Sequence, residues 1–434
     1  MNLHLYKQID NAPLVLFRIL FGFLLAVEAF GAAATGWVKN VFVDPELHFQ
    51  HIGFEWLTPL DGNGMYYYYV IMGILGMLVM LGYRYRWSLA AFTFMWLAVY
   101  LMQKEAYNNH YYLLFLVCLI MLFLPADRYA SFDVRRNPNL LSLSMPAWCR
   151  DVMILQMAIV YFFAAFHKLS PDWLSGVAIE YLLEGKNDFP FLGNMFTAKW
   201  FHLFIAYAGV AFDGLIVPML LWKRTRTLAL LAAVIFHLFN SAVFQIGIFP
   251  YFALSFIVFF YEPETIRKIF FRKKAARDFT ENSYEQQSVL KYFFIPFFII
   301  QMILPVRHYF IRGDVLWTDE GHRLSWRMML RSRSGDTKFV VVDKNTGVRE
   351  EYALWNKLKG NQLRFASSTA DGIWQMAQHI KKEYAEGGQN VEVYVYAQVS
   401  VNGHPSRVFT DTTVNLADVR WNYLRHSEWI ILYD

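Results

Sequence analysis

The residues that stand out are polar side chains placed within or at the ends of apolar runs. His110 closes Asn108-Asn109-His110, and His167-Lys168 leads into Leu169-Ser170-Pro171-Asp172-Trp173. His237 and Asn240 share one apolar run, Glu28 interrupts the first run, and His308 follows the last. An ionisable group within a bilayer costs free energy, so each marks a functional candidate by default. A second group is the run from Arg323 to Arg333, where Arg323, Arg327, Arg331 and Arg333 all fall on odd positions and the even positions are mostly apolar. As a strand this run presents one basic face, and arginine pairs carboxylates bidentately, so the chemistry expected there is capture of an acidic ligand. Each feature also has a plainer reading: interfacial histidines at helix ends, a lysine snorkelling to the headgroups, and a solvated strand face. Glu46, His48 and His51 share a short loop, but two histidines in one loop are a weak metal signature. No Cys-x-x-Cys-His, His-Glu-x-x-His or glycine-rich phosphate loop occurs, which leaves haem, zinc-protease and nucleotide chemistry without support.

Membrane helices have to position these residues. The chain has 434 residues, 56% of them hydrophobic and 18% aromatic, above the roughly 45–50% apolar content usual for soluble proteins. Disorder is excluded because it needs low hydrophobicity and high charge. A disulfide-stapled scaffold is excluded because only Cys118 and Cys149 are present. Charge is uneven: residues 310–434 hold 16 basic and 15 acidic side chains, and the much longer stretch 1–309 holds only 24 and 20. This division predicts a polytopic α-helical membrane domain over 1–309 and a mixed α+β soluble domain over 310–434. The net charge of +5 forms no stripe of basic and aromatic residues, so no nucleic-acid partner is expected.

Nine transmembrane helices are expected, at 13–36, 66–82, 87–103, 111–125, 151–170, 200–222, 227–247, 249–261 and 290–306. Pro250 separates the seventh from the short eighth, so that pair reads either as two crossings or as a re-entrant hairpin. The first stretch carries Arg18 and Glu28 and runs on without a clear cleavage site, unlike a signal peptide. With a cytoplasmic N-terminus, the inner segments 1–12, 83–86, 126–150, 223–226 and 262–291 carry 17 Lys and Arg, against 4 in the outer loops. Basic residues stay on the cytoplasmic face, which fixes the orientation and puts the C-terminal domain outside. Glu28, His110, His167-Lys168, His237, Asn240 and His308 then share one depth, just beneath that domain. Scattered structural polar groups would not agree in depth, and this agreement is the main argument for a site. In the outer domain Val340–Val342, Val391–Val401 and Trp429–Tyr433 read as strands and Thr369–Tyr384 as a helix. Asn345-Thr346-Gly347 and Asn402-Gly403 read as turns.

Taken in order, several segments resemble the vitamin K-dependent γ-glutamyl carboxylase family over nearly the whole chain. They are Asn108-Asn109-His110-Tyr111-Tyr112-Leu113, then Lys168-Leu169-Ser170-Pro171-Asp172-Trp173 with Glu180-Tyr181-Leu182. Phe236-His237-x-x-Asn240-Ser241 and Ile246-Gly247-x-Phe249-x-Tyr251 follow. Trp317-Thr318, Ser325-Trp326-x-Met328-Met329 and Ser332-Arg333-Ser334 complete the set. The resemblance implies a membrane domain of the HTTM type and a reaction in which a reduced vitamin K hydroquinone, or menaquinol in a bacterial relative, is oxidised by O2 to its 2,3-epoxide. That oxidation drives removal of a γ-proton from a peptide glutamate, and CO2 adds to the carbanion. The implied partners are a glutamate-containing peptide or protein and the lipid bilayer, with no metal and no nucleotide.

The family's catalytic base falls on Lys168, and His110 and His308 match two further functional histidines. Ser325, Trp326 and Arg407 fall where the family holds its glutamate. Asn109, His237, Asn240, Trp317 and Arg331 join the substrate-binding set. There are departures. His167 stands where vertebrate enzymes have a second lysine, and Arg331 replaces a family histidine. The cysteines that would join the two halves by a disulfide are missing, and the chain is shorter after the shared core. These point to a bacterial relative in the inner membrane with its C-terminal domain in the periplasm. Two alternatives stay open: a quinol epoxidase that does not carboxylate protein, and a non-enzymatic quinone or lipid binder or transporter.

Overall fold

A computed structural model describes residues 3–276 and 287–433, so residues 277–286 of the expected inner segment 262–291 lie outside the described residues. All nine apolar stretches are helical. Six of these helices are long and apolar enough to cross a membrane: Ala12–Ala34, Gly64–Leu81, Trp148–His167, Lys199–Leu221, Arg226–Phe244 and Gln287–Phe310. The other three are Tyr85–Met102, the 15-residue Asn109–Phe123, and Phe249–Ser255 with its 3-10 continuation to Phe259. Fifteen residues rise only about 22 Å at 1.5 Å each, short of a hydrocarbon core near 30 Å. Local chemistry sets those ends. Asn108 caps Asn109–Phe123 by accepting the Tyr111 N–H at 2.8 Å, and Pro125 follows its last turn. Composition predicted the nine segments; a cap and a proline keep Asn109–Phe123 short, whereas Tyr85–Met102 matches Gly64–Leu81 in length and is less apolar.

The helices enclose one large apolar core, built on residues such as Phe17, Phe21, Phe92, Trp148, Phe252 and Phe256. A second core fills the C-terminal region. Its four-stranded antiparallel sheet runs in the order Arg349–Tyr352, Arg333–Asp343, Val391–Val401, Arg407–Val408. The two long strands pair from Arg333↔Val401 to Asp343↔Val391. Val391, Val393, Val395, Ala397, Val399 and Val401 point one way, as a period of two requires. The helices Gly360–Ser368 and Ala370–Glu386 add Phe365, Ile373, Met376 and Ile380 to this core. Phe49, from the loop after the first helix, is also part of it and packs on Phe365 at 5.1 Å.

Two expected strands are corrected. Trp429–Tyr433 forms only a single bridge, Thr410↔Ile430. Arg323–Ser332 is an irregular loop, and regular pairing begins only at Arg333. Leu324, Trp326 and Met329 have φ of +61°, +57° and +58°, which no strand accommodates. Such backbone is strained for non-glycine residues and persists only where packing over-determines it. The fully buried Trp326, stacked on Tyr112 at 5.0 Å, supplies that packing.

Candidate active site

Lys168 caps the C-terminus of Trp148–His167, and Pro171 stops the helix just beyond it. Its Nζ is buried, donates to Asp213 Oδ2 at 2.6 Å, and lies 4.8 Å from the centre of the Trp173 ring. Trp173 is held in turn by its indole N–H, which donates to the Ala206 carbonyl at 2.9 Å. Asp213 comes from Lys199–Leu221, one turn beyond Gly209. A Cβ at 209 would already lie 3.7 Å from Lys168 Nζ, so a longer side chain there would crowd the ammonium. Ammonium, carboxylate and indole face thus form one compact buried group.

Two turns before Lys168 on the same helix, the Tyr161 hydroxyl lies 3.0 Å from His237 Nε2. His237 meets the Phe249 ring edge-on at 6.1 Å, and His110 stacks on the other side of that contact at 3.9 Å from Phe249. Tyr161 and His237 also close the polar end of a cavity whose walls are apolar, including Met157, Ile216, Phe256 and Phe260. Asn240 is half-buried, one turn beyond His237. Asn109 accepts the Tyr107 hydroxyl at 3.0 Å, and that hydroxyl accepts the Leu324 N–H at 2.8 Å. The Asn-Asn-His segment is thereby tied to the strained loop.

A third group sits at the end of the same helix. Arg327 Nη1 bridges His167 Nδ1 at 3.2 Å and His308 Nε2 at 3.3 Å. Burial pushes the Arg327 guanidinium down to about 10, which leaves it charged at neutral pH. Ser325 Oγ donates to the Gly321 carbonyl at 2.6 Å and accepts from Arg307 at 3.2 Å. The buried Trp326 indole N–H has no hydrogen-bond partner among the described residues. The four arginines of the expected basic face go to four separate places. Arg323 pairs with Asp371 and Arg331 with Asp319, Arg327 turns to the histidines, and Arg333 donates to the carbonyls of Ser368, Leu316 and Trp317. The alternation is real, but it reflects buried partners rather than one solvent face.

Trp317 and Arg407 lie elsewhere. The Trp317 indole donates to the Ile431 carbonyl at 2.7 Å, its ring meets Tyr433, and the exposed Arg407 stacks over the same Tyr433 ring at 5.2 Å. No contact joins these two to Lys168 or His110 among the described residues. The Asn402-Gly403 turn does reach the lysine motif. Asn402 and His404 hold the two oxygens of Asp172, at 2.8 and 2.9 Å. Gly403 has φ +69°, and a Cβ there would fall 1.5 Å from the Tyr181 hydroxyl, so glycine is required with Tyr181 in place. His48 and His51 go to separate partners, the Phe42 carbonyl and the Tyr100 ring.

Asp213 is absent from the residues picked out by sequence. It is the sole acidic residue in the 200–222 stretch, and the rule that flagged the histidines applies to it equally. Arg327 was visible in the alternating run, but its two histidine partners lie on other segments and left no local signal.

Residues 6–264 match the HTTM domain family, which is more than half of the chain. Residues 286–434 match the lumenal domain of vitamin K-dependent gamma-carboxylase. No solved structure matches the chain. Two matches in this order, on a helical bundle followed by an α+β region, assign the whole molecule: the chain belongs to the vitamin K-dependent gamma-carboxylase family.

Proposed function

We infer that the protein is a membrane γ-glutamyl carboxylase. It couples oxidation of a reduced vitamin K or menaquinol by O2, giving the epoxide, to carboxylation of a peptide glutamate by CO2. In this reading residues 1–309 form the membrane domain, with the N-terminus cytoplasmic, and residues 310–434 form the extracytoplasmic domain. The observation that carries the reading is Lys168: a buried amine at 2.6 Å from Asp213, at the end of the helix whose Tyr161 meets His237. The cavity beside that pair has the polar and apolar lining a quinol needs, but at about 10 Å³ it admits the ring only once its walls move apart. The bound quinol supplies the oxidative driving force.

The chain supplies the rest. Lys168 acts as the base once its proton has passed to Asp213, the only group within hydrogen-bond reach among the described residues. His110 and His237 orient the quinol ring through the Phe249 contacts and Tyr161. Asn109 and Asn240 extend that polar row. Ser325, Trp326 and His308 line the approach for the glutamate, and Trp317, Arg331 and Arg407 hold the remainder of the peptide. One observation favours the second reading, epoxidation without carboxylation: Asp319 already engages Arg331, so that arginine is not free for a glutamate.

The test is purified protein with reduced vitamin K, labelled bicarbonate and a glutamate-rich peptide. The reading expects epoxide and labelled peptide together. Epoxide without label on any peptide favours the second reading, and neither product from folded protein removes both.

A further inference from the structure

Arg327 is a buried cation with no carboxylate in ion-pair contact among the described residues. Its neighbours in the loop are paired or held by backbone: Arg323 by Asp371, Arg331 by Asp319, and Arg333 by three carbonyls, which leave its Nη2 without a partner. The carboxylate whose field reaches Arg327 is that of Asp314, which is exposed and caps Val315–Thr318 by accepting the Leu316 N–H at 2.9 Å. Arg327 instead directs Nη1 at two imidazoles.

Proton counting defines what this cluster can bind. A guanidinium nitrogen only donates, so His167 Nδ1 and His308 Nε2 both face it as lone pairs. In each neutral ring the proton then sits on the other nitrogen, His167 Nε2 and His308 Nδ1. Both of these atoms and Arg327 Nε are buried without a hydrogen-bond partner among the described residues. The carbonyls of Ser325 and Pro305 lie near the two rings but outside hydrogen-bond geometry. His167, His308 and Arg327 are 3%, 5% and 7% exposed, so water does not satisfy these groups freely. The three side chains therefore offer three N–H donors without a partner in hydrogen-bond geometry, one positive charge and no free acceptor of their own. A buried unpaired charge is costly, and a set made only of donors is matched by an anion with several oxygens.

We propose that Arg327, His167 and His308 form a binding site for a small oxyanion, either a carboxylate or bicarbonate. The site adjoins Trp326, whose indole N–H is also unpaired. Nothing in this assignment requires the carboxylase reading. If that reading holds, both sources are at hand, a glutamate side chain and the hydrated form of CO2.

The test is thermal unfolding of the full chain in lipid nanodiscs, titrated at constant ionic strength with sodium bicarbonate, with sodium acetate and with a short glutamate peptide, against sodium chloride. Wild type is expected to show a saturable rise in melting temperature that chloride does not give. Arg327→Gln should weaken the apparent affinity at least tenfold, Arg327→Lys less, and Lys382→Gln, on an exposed helix face, not at all. Saturation by bicarbonate alone identifies the free oxyanion as the ligand; saturation by acetate and peptide identifies the side-chain carboxylate. Should Arg327→Gln fail to fold, His167→Phe keeps the stacking on Phe163 and should weaken the response several-fold. A wild-type response no larger than that to chloride, or an undiminished response in a folded Arg327→Gln or His167→Phe, overturns the site. Epoxide formation by a protein with no anion response would sink this site and leave the proposed enzyme standing.

Discussion

Among the buried lysine–aspartate pairs of the described residues, two have equal length, and they are built differently. Lys168 meets Asp213 at 2.6 Å, and Lys104 meets Asp371 at 2.6 Å, with both lysines also facing a tryptophan ring. Asp371 holds two cations, Lys104 and Arg323, and its helix is capped by Thr369. Burial alone would raise the Asp371 carboxyl, but Arg323 and Lys104 more than offset it and hold it below the usual carboxylate range. That group is locked as a charged triad. It ties the Lys104–Ala106 turn of the N-terminal half to the C-terminal helix Ala370–Glu386. Asp213 has Lys168 as its one hydrogen-bond partner among the described residues. A structural pair gains from redundancy, since any loss strands a buried charge. A working pair has to let a proton leave, and a one-to-one contact permits that.

Substitutions should separate the two pairs. The largest effect is expected from Lys168→Ala, which should lower epoxide and labelled-peptide formation by about 10²–10⁴-fold, the usual range for losing a positioned base. Activity near wild type would merge the two pairs into one structural class. Asp371→Asn should destabilise the fold by about 3–5 kcal/mol, because it leaves two buried cations facing each other. Activity per folded molecule should hold, and thermal unfolding alongside single-turnover rates would check both. Asp213→Asn should cut kcat by about a hundredfold, or about 2.7 kcal/mol, with little change in KM. Added to Lys168→Ala it should cost little more, since the two act as one unit.

The last effect concerns Glu105, beside the triad, whose carboxyl burial pushes up to about 7. Below pH 4.5 the folded and unfolded chains both carry this proton, and its contribution to stability is fully present. Between 4.5 and about 7 only the folded chain keeps it, so stability falls as pH rises, by about 3 kcal/mol in all, and is flat above that. Melting temperatures from pH 5 to 8 should fall less steeply for Glu105→Gln than for wild type. Parallel curves would show that this carboxyl is not held protonated beside the locked pair.

What the sequence revealed follows from how far each signal reaches. The Lys168–Trp173 motif and the Asn402-Gly403 turn were legible because proline, glycine and asparagine act on their own backbone. The nine apolar segments were legible by composition, but the shortness of Asn109–Phe123 depends on its cap Asn108 and on Pro125. The triad was hidden: Asp371 reads as an ordinary first-turn acid favoured at a helix N-terminus, and its partners Lys104 and Arg323 lie on other segments. The run from Arg323 to Arg333 misled for a related reason. Its period of two is the period of a strand, yet positive φ at Leu324, Trp326 and Met329 lets consecutive arginines turn to Asp371, His167, His308 and Asp319. The shared depth of His110, Lys168 and His237 was expected from loop charges; Asp213, the partner of Lys168, could have been flagged by the same rule as the histidines.

The most direct test of the account is a cryo-electron microscopy structure of the protein in nanodiscs with a vitamin K-type quinone bound. The account predicts ring density in contact with Lys168, with its polar edge toward Tyr161 and His237 and its tail along Phe256 and Phe260. A ring bound away from Lys168, with the Lys168–Asp213 pair undisturbed, would contradict it and make both pairs structural.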